Sequence, residues 1–383
     1  MPEAVIVATG RSPIGRAGKG SLVNYRPDDL LGYIVRKVLE KVPELPQEQI
    51  DDLICGCGFP EGQTGTNVGR LAVFLSGMPM SVPGTTVNRF CASSLQSIRM
   101  GFHAIKAGEA RAMVCAGVES VSRVNILPRP GDEDPLLVGD DAIADAYISM
   151  GMTAENVAEQ FNISREEMDE YAYNSQMKAS KARDDGFFGR EIIPVTTPDG
   201  TEVSSDDGIR SDTTVERLAT LKPVFKEGGR ITAGNACPLN DGAAAVVVMD
   251  EDYARSLGIK PLARIIGSAV SGLDPRIMGV GPIEACRKVF AQTGMSVKDI
   301  DVIELNEAFA AQVIPVGREV GFLDERLNPH GGALALGHPF GMTGARIMTT
   351  LINDLQTIDK TYGLETMCVG GGQGMAMIIE RLN

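Results

Sequence analysis

The sequence is poor in basic residues, in paired metal ligands and in long apolar runs. Its 36 lysines and arginines face 50 aspartates and glutamates, and the net charge of −14 argues against a nucleic-acid-binding surface. The seven cysteines lack metal-site spacing, since the nearest pair, Cys55 and Cys57, has no second pair beside it. No apolar run approaches the ~20 residues that a membrane span needs. We therefore expect a cytoplasmic protein with reduced cysteines, no metal, and neither a nucleic-acid nor a membrane partner.

Short β-branched runs alternate with helical patterns, which predicts an α/β fold. The first run, residues 1–7, is typical of a strand rather than of a signal peptide. Two stretches share an order of features, because residues 50–56 and 300–306 each place an acidic turn before a strand. We infer two similar halves, each of which closes with a helix and an apolar strand that ends in glycines.

The segment between the halves differs from them in being rich in charge and turn residues, as in residues 128–135. It contains two predicted helices, at residues 153–161 and 165–184, and a capping box formed by Ser164 and Glu167 precedes the second. An insertion of this length is more often a binding lid or an oligomer contact than a disordered linker. The predicted domains are a first half of residues 1–118 plus about 240–252, an inserted loop domain of residues 119–239, and a second half of residues 253–383.

A single cysteine, Cys91, lies where an extended apolar run gives way to a helical pattern, in VNRFCASSLQS. A thiol at a helix N-terminus meets unpaired backbone N–H groups and the positive end of the helix dipole, which favour the thiolate. An isolated cysteine is more often a buried structural residue. Two other segments favour a reactive one, because GHPFG at 337–341 supplies a base, His338, and CVGGGQG at 368–374 supplies a second thiol, Cys368.

These segments resemble signature blocks of the thiolases, and the resemblance covers essentially the whole chain in order. The six blocks are VNRFC at 87–91, MGMTAEN at 150–156, GNACPLNDGAAA at 234–245, NEAF at 306–309, GHPFG at 337–341 and CVGGG at 368–372. The resemblance implies the thiolase fold, an α/β architecture. In that fold two similar βαβαβαββ-type halves form a five-layered αβαβα sandwich with an inserted loop domain. It also implies a homodimer or homotetramer, in which an exposed edge strand near Cys91 pairs across a two-fold axis.

The resemblance further implies the catalytic roles. Cys91 is the expected nucleophile, which carries the acyl group as a thioester, with His338 as its base. Cys368 is the expected second acid and base. His338 and a water held by Asn306 would form one oxyanion hole, and the backbone N–H groups of Cys91 and Gly370 would form the other.

Coenzyme A (CoA) is the implied partner, as a substrate and product rather than a permanently bound cofactor. Arg210 and Phe225 match family positions that contact its nucleotide, whereas Met150, Ala233 and Ala308 match positions that line the pantetheine tunnel. Five cations of the insertion are candidates for its phosphates, namely Arg210, Arg217, Lys222, Lys226 and Arg230.

Some positions depart from the family's usual pattern. Cys237 and Pro238 stand where the family usually has a serine and a glycine, and a thiol is a weaker hydrogen-bond partner for the pantetheine than a hydroxyl. Ser149 stands where short-chain biosynthetic members often carry histidine, and Arg89 is typical of degradative members with a broad chain-length range. Both positions favour a 3-ketoacyl-CoA thiolase.

The sequence thus predicts reversible, CoA-dependent cleavage of 3-ketoacyl-CoA to acetyl-CoA and a shortened acyl-CoA by ping-pong acyl transfer, as in fatty acid β-oxidation. The alternatives are a biosynthetic acetyl-CoA acetyltransferase specific for acetoacetyl-CoA and a non-catalytic acyl-CoA-binding protein that keeps the fold. A decarboxylating ketoacyl synthase would normally have two histidines and no second catalytic cysteine, so Asn306 and Cys368 argue against it. Acyl chain length, physiological direction and the choice between dimer and tetramer stay open.

Overall fold

The computed structural model describes residues 2–127 and 131–383. Met1 and residues 128–130 of the predicted turn-rich stretch lie outside the described residues. The strands are β1 Ala4–Arg11, β2 Gly15–Arg16, β3 Asp52–Gly56, β4 Gly84–Val87, β5 Ala112–Ser120, β6 Val195–Thr196, β7 Glu202–Val203, β8 Asn240–Asp250, β9 Ala263–Gly272, β10 Val302–Leu305, β11 Tyr362–Val369 and β12 Gln373–Arg381. The helices are α1 Pro27–Leu39, α2 Val68–Ser76, α3 Ser93–Lys106, α4 Met150–Gln160, α5 Arg165–Asp184, α6 Val215–Ala219, α7 Glu251–Ser256, α8 Gly281–Thr293, α9 Ala310–Val320, α10 Ala333–Leu336 and α11 Thr343–Ile358.

The strands form a ten-stranded sheet in the order β10-β11-β12-β9-β1-β8-β5-β3-β4, with β2 beside β8. Strands β1 and β9 pair antiparallel at its middle, where Val5 lies opposite Arg264. From this junction both halves repeat one order outward, since β1-β8-β5-β3 matches β9-β12-β11-β10. The pairing directions match as well, because β3 with β5 and β10 with β11 are parallel while the pairs nearer the junction are antiparallel.

The inferred duplication is also visible in the hydrogen bonds of two equivalent aspartates, Asp51 and Asp301. Asp51, before β3, accepts hydrogen bonds from the backbone N–H groups of Arg111 and Ala112, at the start of β5. Asp301, before β10, accepts the equivalent pair from Thr361 and Tyr362, at the start of β11. The halves differ at one edge, because the counterpart of β4 is reduced to a single parallel bridge between Ile303 and Leu327.

Helices lie in three layers around the two halves of the sheet. Helices α1 and α2 pack on the outer face of the first half, and α8 and α9 pack on the outer face of the second. Helices α3 and α11 lie between the halves, where α3 contacts strands of the first half and α11 contacts strands of both. This arrangement is the predicted five-layered sandwich. Because strands such as β5 and β8 are covered on both faces, they are continuous apolar runs rather than alternating ones.

The two central helices touch through their backbones near their N-termini. A Cβ atom built on Gly344 of α11 would lie 2.3 Å from the backbone nitrogen of Leu95 on α3, so only glycine permits this approach. The Ala345 N–H donates to Ser94 Oγ across the same contact at 2.9 Å. This contact sets how closely the residues that precede α3 and α11 approach each other.

The insertion begins with two helices, as predicted. Helix α5 covers residues Arg165–Asp184, with the predicted capping box of Ser164 and Glu167. Helix α4 starts at Met150, three residues earlier than the apolar pattern indicates, because the Ser149 side chain accepts from the Met152 N–H. No helix among residues 2–127 and 131–383 has the length and apolarity to span a membrane.

The segment that follows α5 within the insertion is part of the central core. Phe187, Phe188 and Ile192 pack into the apolar cluster around α3 and α11. Beside them the Arg11 guanidinium, fully buried at the end of β1, donates to Glu191 at 2.7 Å and to Asp206 at 2.7 and 2.9 Å. These charge-assisted bonds attach the insertion to the first half.

We expect Gly344→Ala to destabilise the protein by about 1–3 kcal/mol, because the added methyl group forces α3 and α11 apart. Urea denaturation measures the free energy of unfolding. Gly189→Ala is the matched control, since a Cβ atom there meets nothing within 4 Å. Equal stability of Gly344→Ala and wild type would contradict the close approach of the helices.

Candidate active site

Four predicted catalytic residues meet at one end of the central layer. Cys91 lies in a 3-10 turn, Phe90–Ala92, that leads into α3, and His338 comes just before the equivalent turn, Phe340–Met342, that leads into α11. Asn306 directly follows β10, and Cys368 lies near the end of β11. Because parallel strands end at the same edge of a sheet and the central helices begin there, the fold brings these residues together.

A strained turn presents Cys91. Phe90 has a φ of 43°, in the left-handed region that non-glycine residues seldom adopt. Three hydrogen bonds hold it there: the Phe90 N–H donates to Asn88 Oδ1 at 2.7 Å, the Ser93 hydroxyl donates to the Phe90 carbonyl at 2.6 Å, and the Arg89 N–H donates to Ser93 Oγ at 2.9 Å. The turn therefore fixes the position of the nucleophile at the start of α3.

The Cys91 thiol is neutral at rest, contrary to the sequence-based expectation of a favoured thiolate. Burial raises its pKa to about 12, and Glu119 adds to that increase, whereas the backbone N–H groups of Gly370 and of Cys91 itself lower it. The predicted N–H donors are thus in place, but desolvation of the sulfur outweighs them. A base has to remove the proton before Cys91 can attack.

Arg89 connects the Cys91 turn to the glycine-rich turn after β11. Its guanidinium donates to Gln96 on α3 at 2.9 Å and to Gln373 Oε1 at 2.7 Å. Gln373 in turn donates to the carbonyl of Gly370 at 3.2 Å. Arg89, which in the sequence indicates only the range of acyl chain lengths, therefore also positions Gly370 relative to Cys91.

His338 has its proton on Nδ1. The Thr343 hydroxyl donates to the Pro339 carbonyl at 2.8 Å, so its oxygen is left to accept from His338 Nδ1, 2.7 Å away. Nε2 then carries a lone pair, and the Asn306 amide nitrogen lies 3.3 Å from it. The backbone is fixed by a bond from the His338 N–H to Asn240 Oδ1 at 2.9 Å.

The His338 imidazole is neutral. Burial lowers its pKa to about 3, and the charge of Arg346 lowers it further. A neutral ring with a free Nε2 is a proton acceptor, which is the form that the predicted base needs. The site at rest therefore holds a neutral thiol and a neutral imidazole rather than an ion pair.

Asn306 and Cys368 complete the group. Asn306 Oδ1 is buried and has no hydrogen-bond partner within the described chain, which leaves it free to accept from a water or a substrate. Cys368 is fully buried, and burial raises its pKa well above the usual value, with smaller contributions from charge on Cys91 and Cys237. This mutual influence means that the three thiols are close neighbours.

Glu119 is a buried acid beside the site that sequence reasoning misses. Its carboxylate accepts from the backbone N–H groups of Gly58 at 2.8 Å, Phe59 at 3.2 Å and Gly341 at 2.9 Å. Burial raises its pKa to about 7, although these N–H groups act in the opposite direction. Glu119 thereby ties the loop after β3 to the turn after His338. The sequence feature that could have identified Glu119 is the presence of an acidic residue in the otherwise largely apolar run AMVCAGVES.

The four residues predicted to contact the pantetheine differ in burial, because three belong to one apolar cluster or pack against it and the fourth is exposed. Ala308 is buried, and Met150 and Cys237 pack against the same apolar cluster, which also contains Cys368. The Cys237 N–H donates to the Ala308 carbonyl at 3.0 Å. Ala233, by contrast, is exposed. Three of the four residues thus pack in or against the cluster that contains the second thiol, Cys368.

Phe225 and the five cations differ in what they are free to bind. The Phe225 ring lies on Gly151 of α4 and contacts Phe309 edge-on at 6.2 Å. Arg230 is committed to the carbonyls of Ala158 and Ile163, Arg217 pairs with Asp212, and Lys226 faces Glu159. Within the described part of the chain, the side chains of Arg210 and Lys222 are the members of this set with no ion pair or hydrogen bond of their own. In the same part, no group of three or more His, Cys, Asp or Glu is arranged to hold a metal ion.

Comparison with known proteins identifies relatives over the full length. Family profiles described as "Thiolase, N-terminal domain" and "Thiolase, C-terminal domain" match residues 4–252 and 259–381. The chain is 44% identical to the 3-oxoadipyl-CoA/3-oxo-5,6-dehydrosuberyl-CoA thiolase of Escherichia coli (strain K12), with 100% of each chain covered. It is 42% identical to the 3-ketoacyl-CoA thiolase of Bacillus subtilis (strain 168), with 99% of this chain and 100% of that one covered.

Solved structures of relatives superpose closely. The crystal structure of the Bacillus anthracis acetyl-CoA acetyltransferase gives a TM-score of 0.92 at 39% identity and covers 100% of this chain and 99% of that one. Human mitochondrial 3-ketoacyl-CoA thiolase in complex with CoA gives 0.91 at 36% identity and covers 100% and 98%.

We expect the alkylation rate of Cys91 by iodoacetamide to rise about tenfold per pH unit from pH 7 to 10 without levelling, because the thiolate fraction grows in that way below a raised pKa. Peptide mass spectrometry separates Cys91 from the other cysteines. A rate that is already constant between pH 6 and 8 would indicate a preformed thiolate and contradict a neutral resting pair.

Proposed function

This chain belongs to the thiolase family, and from that premise we propose that it cleaves 3-ketoacyl-CoA with free CoA through an acyl group carried on Cys91. It is a CoA-dependent acyltransferase. The observation that carries the proposal is the meeting of Cys91 and Cys368 with a neutral His338, whose unprotonated Nε2 lies 3.3 Å from the Asn306 amide nitrogen. Two thiols and a base are the groups that carbon–carbon cleavage next to a thioester requires.

In the first half-reaction, His338 Nε2 takes the proton of Cys91, and the sulfur attacks the 3-keto carbon of the substrate. The C2–C3 bond then breaks, which leaves the acyl group on Cys91 and an acetyl-CoA enolate. Cys368 gives its proton to C2 of the enolate, and acetyl-CoA leaves. The raised pKa of Cys368 suits this step, since it keeps the thiol protonated until the enolate forms.

In the second half-reaction, the Cys368 thiolate takes the proton of the CoA thiol, and the CoA sulfur attacks the acyl thioester. Cys91 leaves as a thiolate and recovers its proton from the His338 imidazolium. The shortened acyl-CoA is released, and every group returns to its starting protonation state. Synthesis uses the same steps in reverse.

Two sets of donors stabilise the oxygens that become negative. The backbone N–H groups of Cys91 and Gly370 serve the intermediate formed on Cys91, and both act on its sulfur at rest. His338 and a water held by Asn306 serve the enolate, for which the unpartnered Asn306 Oδ1 is the available acceptor. One such donor typically contributes ~2.7–4 kcal/mol to the lowering of a barrier.

CoA enters along the insertion. Arg210 and Lys222, whose side chains make no internal ion pair among the described residues, bind its phosphates, and Phe225 contacts the nucleotide. Met150, Ala308 and Cys237 line the path of the pantetheine toward Cys368. The Cys237 thiol replaces a hydroxyl on this path, so the contact there is apolar in character.

The acyl range is degradative and extends beyond acetoacetyl-CoA. The relatives named above include one whose name specifies 3-oxoadipyl-CoA and one named for 3-ketoacyl-CoA in general. The Arg89 link to Gln373, which stands beside the nucleophile turn, is the feature of this chain that agrees with the degradative group. An acetoacetyl-CoA-specific synthase and a non-catalytic acyl-CoA-binding protein are the alternatives.

We expect Thr343→Val to lower kcat by about tenfold or more, a part of the ~10²–10⁴-fold that a positioned base contributes, because His338 Nδ1 loses its acceptor and the Nε2 lone pair is no longer enforced. Thr343→Ser should keep most of the activity. Thr349→Val is the control on the same helix, since its hydroxyl donates only to the Ala345 carbonyl. Wild-type kcat in Thr343→Val would contradict this role.

We expect thiolysis assays with free CoA and a ladder of 3-ketoacyl-CoA substrates, including acetoacetyl-CoA and 3-oxoadipyl-CoA, to show activity on several chain lengths. Cys91→Ala should abolish it, because the variant lacks the proposed nucleophile on which the acyl group is carried. Cys286→Ala is the matched control, since that buried cysteine lies on α8, in the apolar cluster on the outer face of the second half. Wild type that cleaves none of the ladder would refute the proposal, and activity on acetoacetyl-CoA alone would favour the synthase.

A further inference from the structure

A cluster of buried ionisable groups lies directly beneath the catalytic residues. Glu304 on β10 and Glu365 on β11 are opposite each other in the parallel pair and face the central layer. Arg346 and Asp354 of α11 lie against them, and all four residues are at most 1% exposed. The Arg346 Nη1 atom is 3.7 Å from Glu304 Oε2. The mechanism above uses none of these groups.

Many polar atoms of this cluster lack protein partners. Within the described chain these buried atoms are Glu304 Oε1, both carboxyl oxygens of Glu365, Asp354 Oδ2, and Nε and Nη1 of Arg346. Buried polar groups of native proteins are seldom left unpaired, and internal water or shared protons satisfy those without a protein partner. The cluster is therefore a hydrated, proton-rich region rather than a set of closed salt bridges.

Charge counting indicates that this region stores protons. Arg11 is already bonded to the carboxylates of Glu191 and Asp206, so Arg346 is the buried cation that faces the three carboxyls, with Lys178 also acting on Asp354. Burial raises the pKa of Glu304 and of Asp354 well above the usual range, and these two carboxyls are close enough to share a proton. Both carboxyls therefore hold a proton more tightly than an exposed carboxyl does.

The cluster has an outer end at the surface. His330 Nδ1 lies 2.5 Å from Asp354 Oδ1, and its ring stacks on Phe187 at 3.8 Å. The His330 side chain is 20% exposed, whereas that of Asp354 is fully buried. Burial lowers the pKa of His330, so the ring is neutral above pH 7 and able to accept a proton from solvent.

Its inner end reaches the active site. Asn306 directly follows β10, two residues after Glu304, a rise of ~6.6 Å along the backbone that more than one bridging water would span. Glu304 Oε1 and Asn306 Oδ1 are both unpartnered within the described residues, and the Asn306 amide contacts His338.

We propose that His330, Asp354 and Glu304 form a proton path that connects solvent to the catalytic imidazole of His338. A proton enters at His330 Nε2, leaves from Nδ1 to Asp354, passes to Glu304, and reaches His338 by way of the water at Asn306. Only O–H and N–H bonds are made and broken, and no electrons are transferred. His330 and Glu304 touch no substrate, so they act through other residues.

Turnover requires such a path when CoA arrives as a thiolate. A CoA thiol with a pKa near ~8.5 brings its own proton at pH 7 but increasingly lacks one above pH 8. The Cys368 thiolate left by the first half-reaction is then not reprotonated by CoA, so one proton per turnover has to come from solvent. His338 receives it from the path and passes it to Cys368.

The path has charged neighbours on every element that packs against it. Those facing Asp354, Glu304 or His330 are Arg346, Glu365, Glu191, Arg11, Lys178, Asp185, Arg190 and Glu307. None of these neighbours changes between the variants below, so differences in pH profile report on the path itself.

The test is the pH dependence of kcat for His330→Asn in thiolysis. Asparagine keeps a donor to Asp354 but cannot relay a proton. We expect the kcat of His330→Asn to match that of wild type at pH 7 and to be about threefold or more lower than that of wild type at pH 9. This loss is smaller than the ~10²–10⁴-fold that removal of a direct acid or base causes. Added imidazole buffer should restore kcat. The control is His103→Asn, which changes an exposed histidine of α3 away from the cluster. Its kcat should depend on pH and on imidazole buffer in the same way as that of wild type.

A kcat ratio of His330→Asn to wild type that stays constant with pH, or that imidazole does not raise, would overturn the path. The inference rests on the proposed function, so a second measurement is independent of activity. The chain has three histidines, and ¹⁵N-histidine NMR therefore resolves each ring. Glu304→Gln should shift the titrations of both His330 and His338. If either ring is unaffected, the path is broken, whether or not the protein is a thiolase.

Discussion

The backbone contact between α3 and α11 is the constraint on which the site depends. The duplicated halves each supply one central helix, and each helix follows a 3-10 turn. Cys91 lies in the turn of one half, and His338 comes just before the turn of the other. Gly344 allows these helices to approach to backbone distance, and Ser94 bonds across the contact. Strands β10 and β11 run parallel, with Leu305 opposite Thr366, so Asn306 and Cys368 follow these positions at the same edge of the sheet.

Burial at that contact determines the electrostatics of everything near it. It raises the pKa of Cys91 and Cys368, lowers that of His338, and keeps protons on carboxyls deeper in the same layer. The resting site is therefore uncharged, and charges form only while substrate is bound. Preorganised N–H donors, a fixed imidazole tautomer and a store of protons are the means by which such a site stabilises transient charge.

Local patterns and motifs predicted most of the architecture and the four residues at the centre. Helix α5 was predictable to the residue because Ser164 and Glu167 cap it, and the duplication was visible in the two acidic turns. Features that depend on packing were not predictable. The Thr343 contact that selects the tautomer, the three N–H groups gathered by Glu119, and the burial that overrides the helix dipole at Cys91 all arise from distant segments meeting.

The central claim is that Cys91, among three neighbouring thiols, carries the acyl group. Peptide mass spectrometry after brief incubation with a 3-ketoacyl-CoA in the absence of free CoA tests it most directly. The account predicts one acyl adduct, on the peptide that contains Cys91, which disappears when CoA is added. An adduct on Cys237 or Cys368 instead, or acetyl-CoA release without any adduct, would contradict acyl transfer through Cys91.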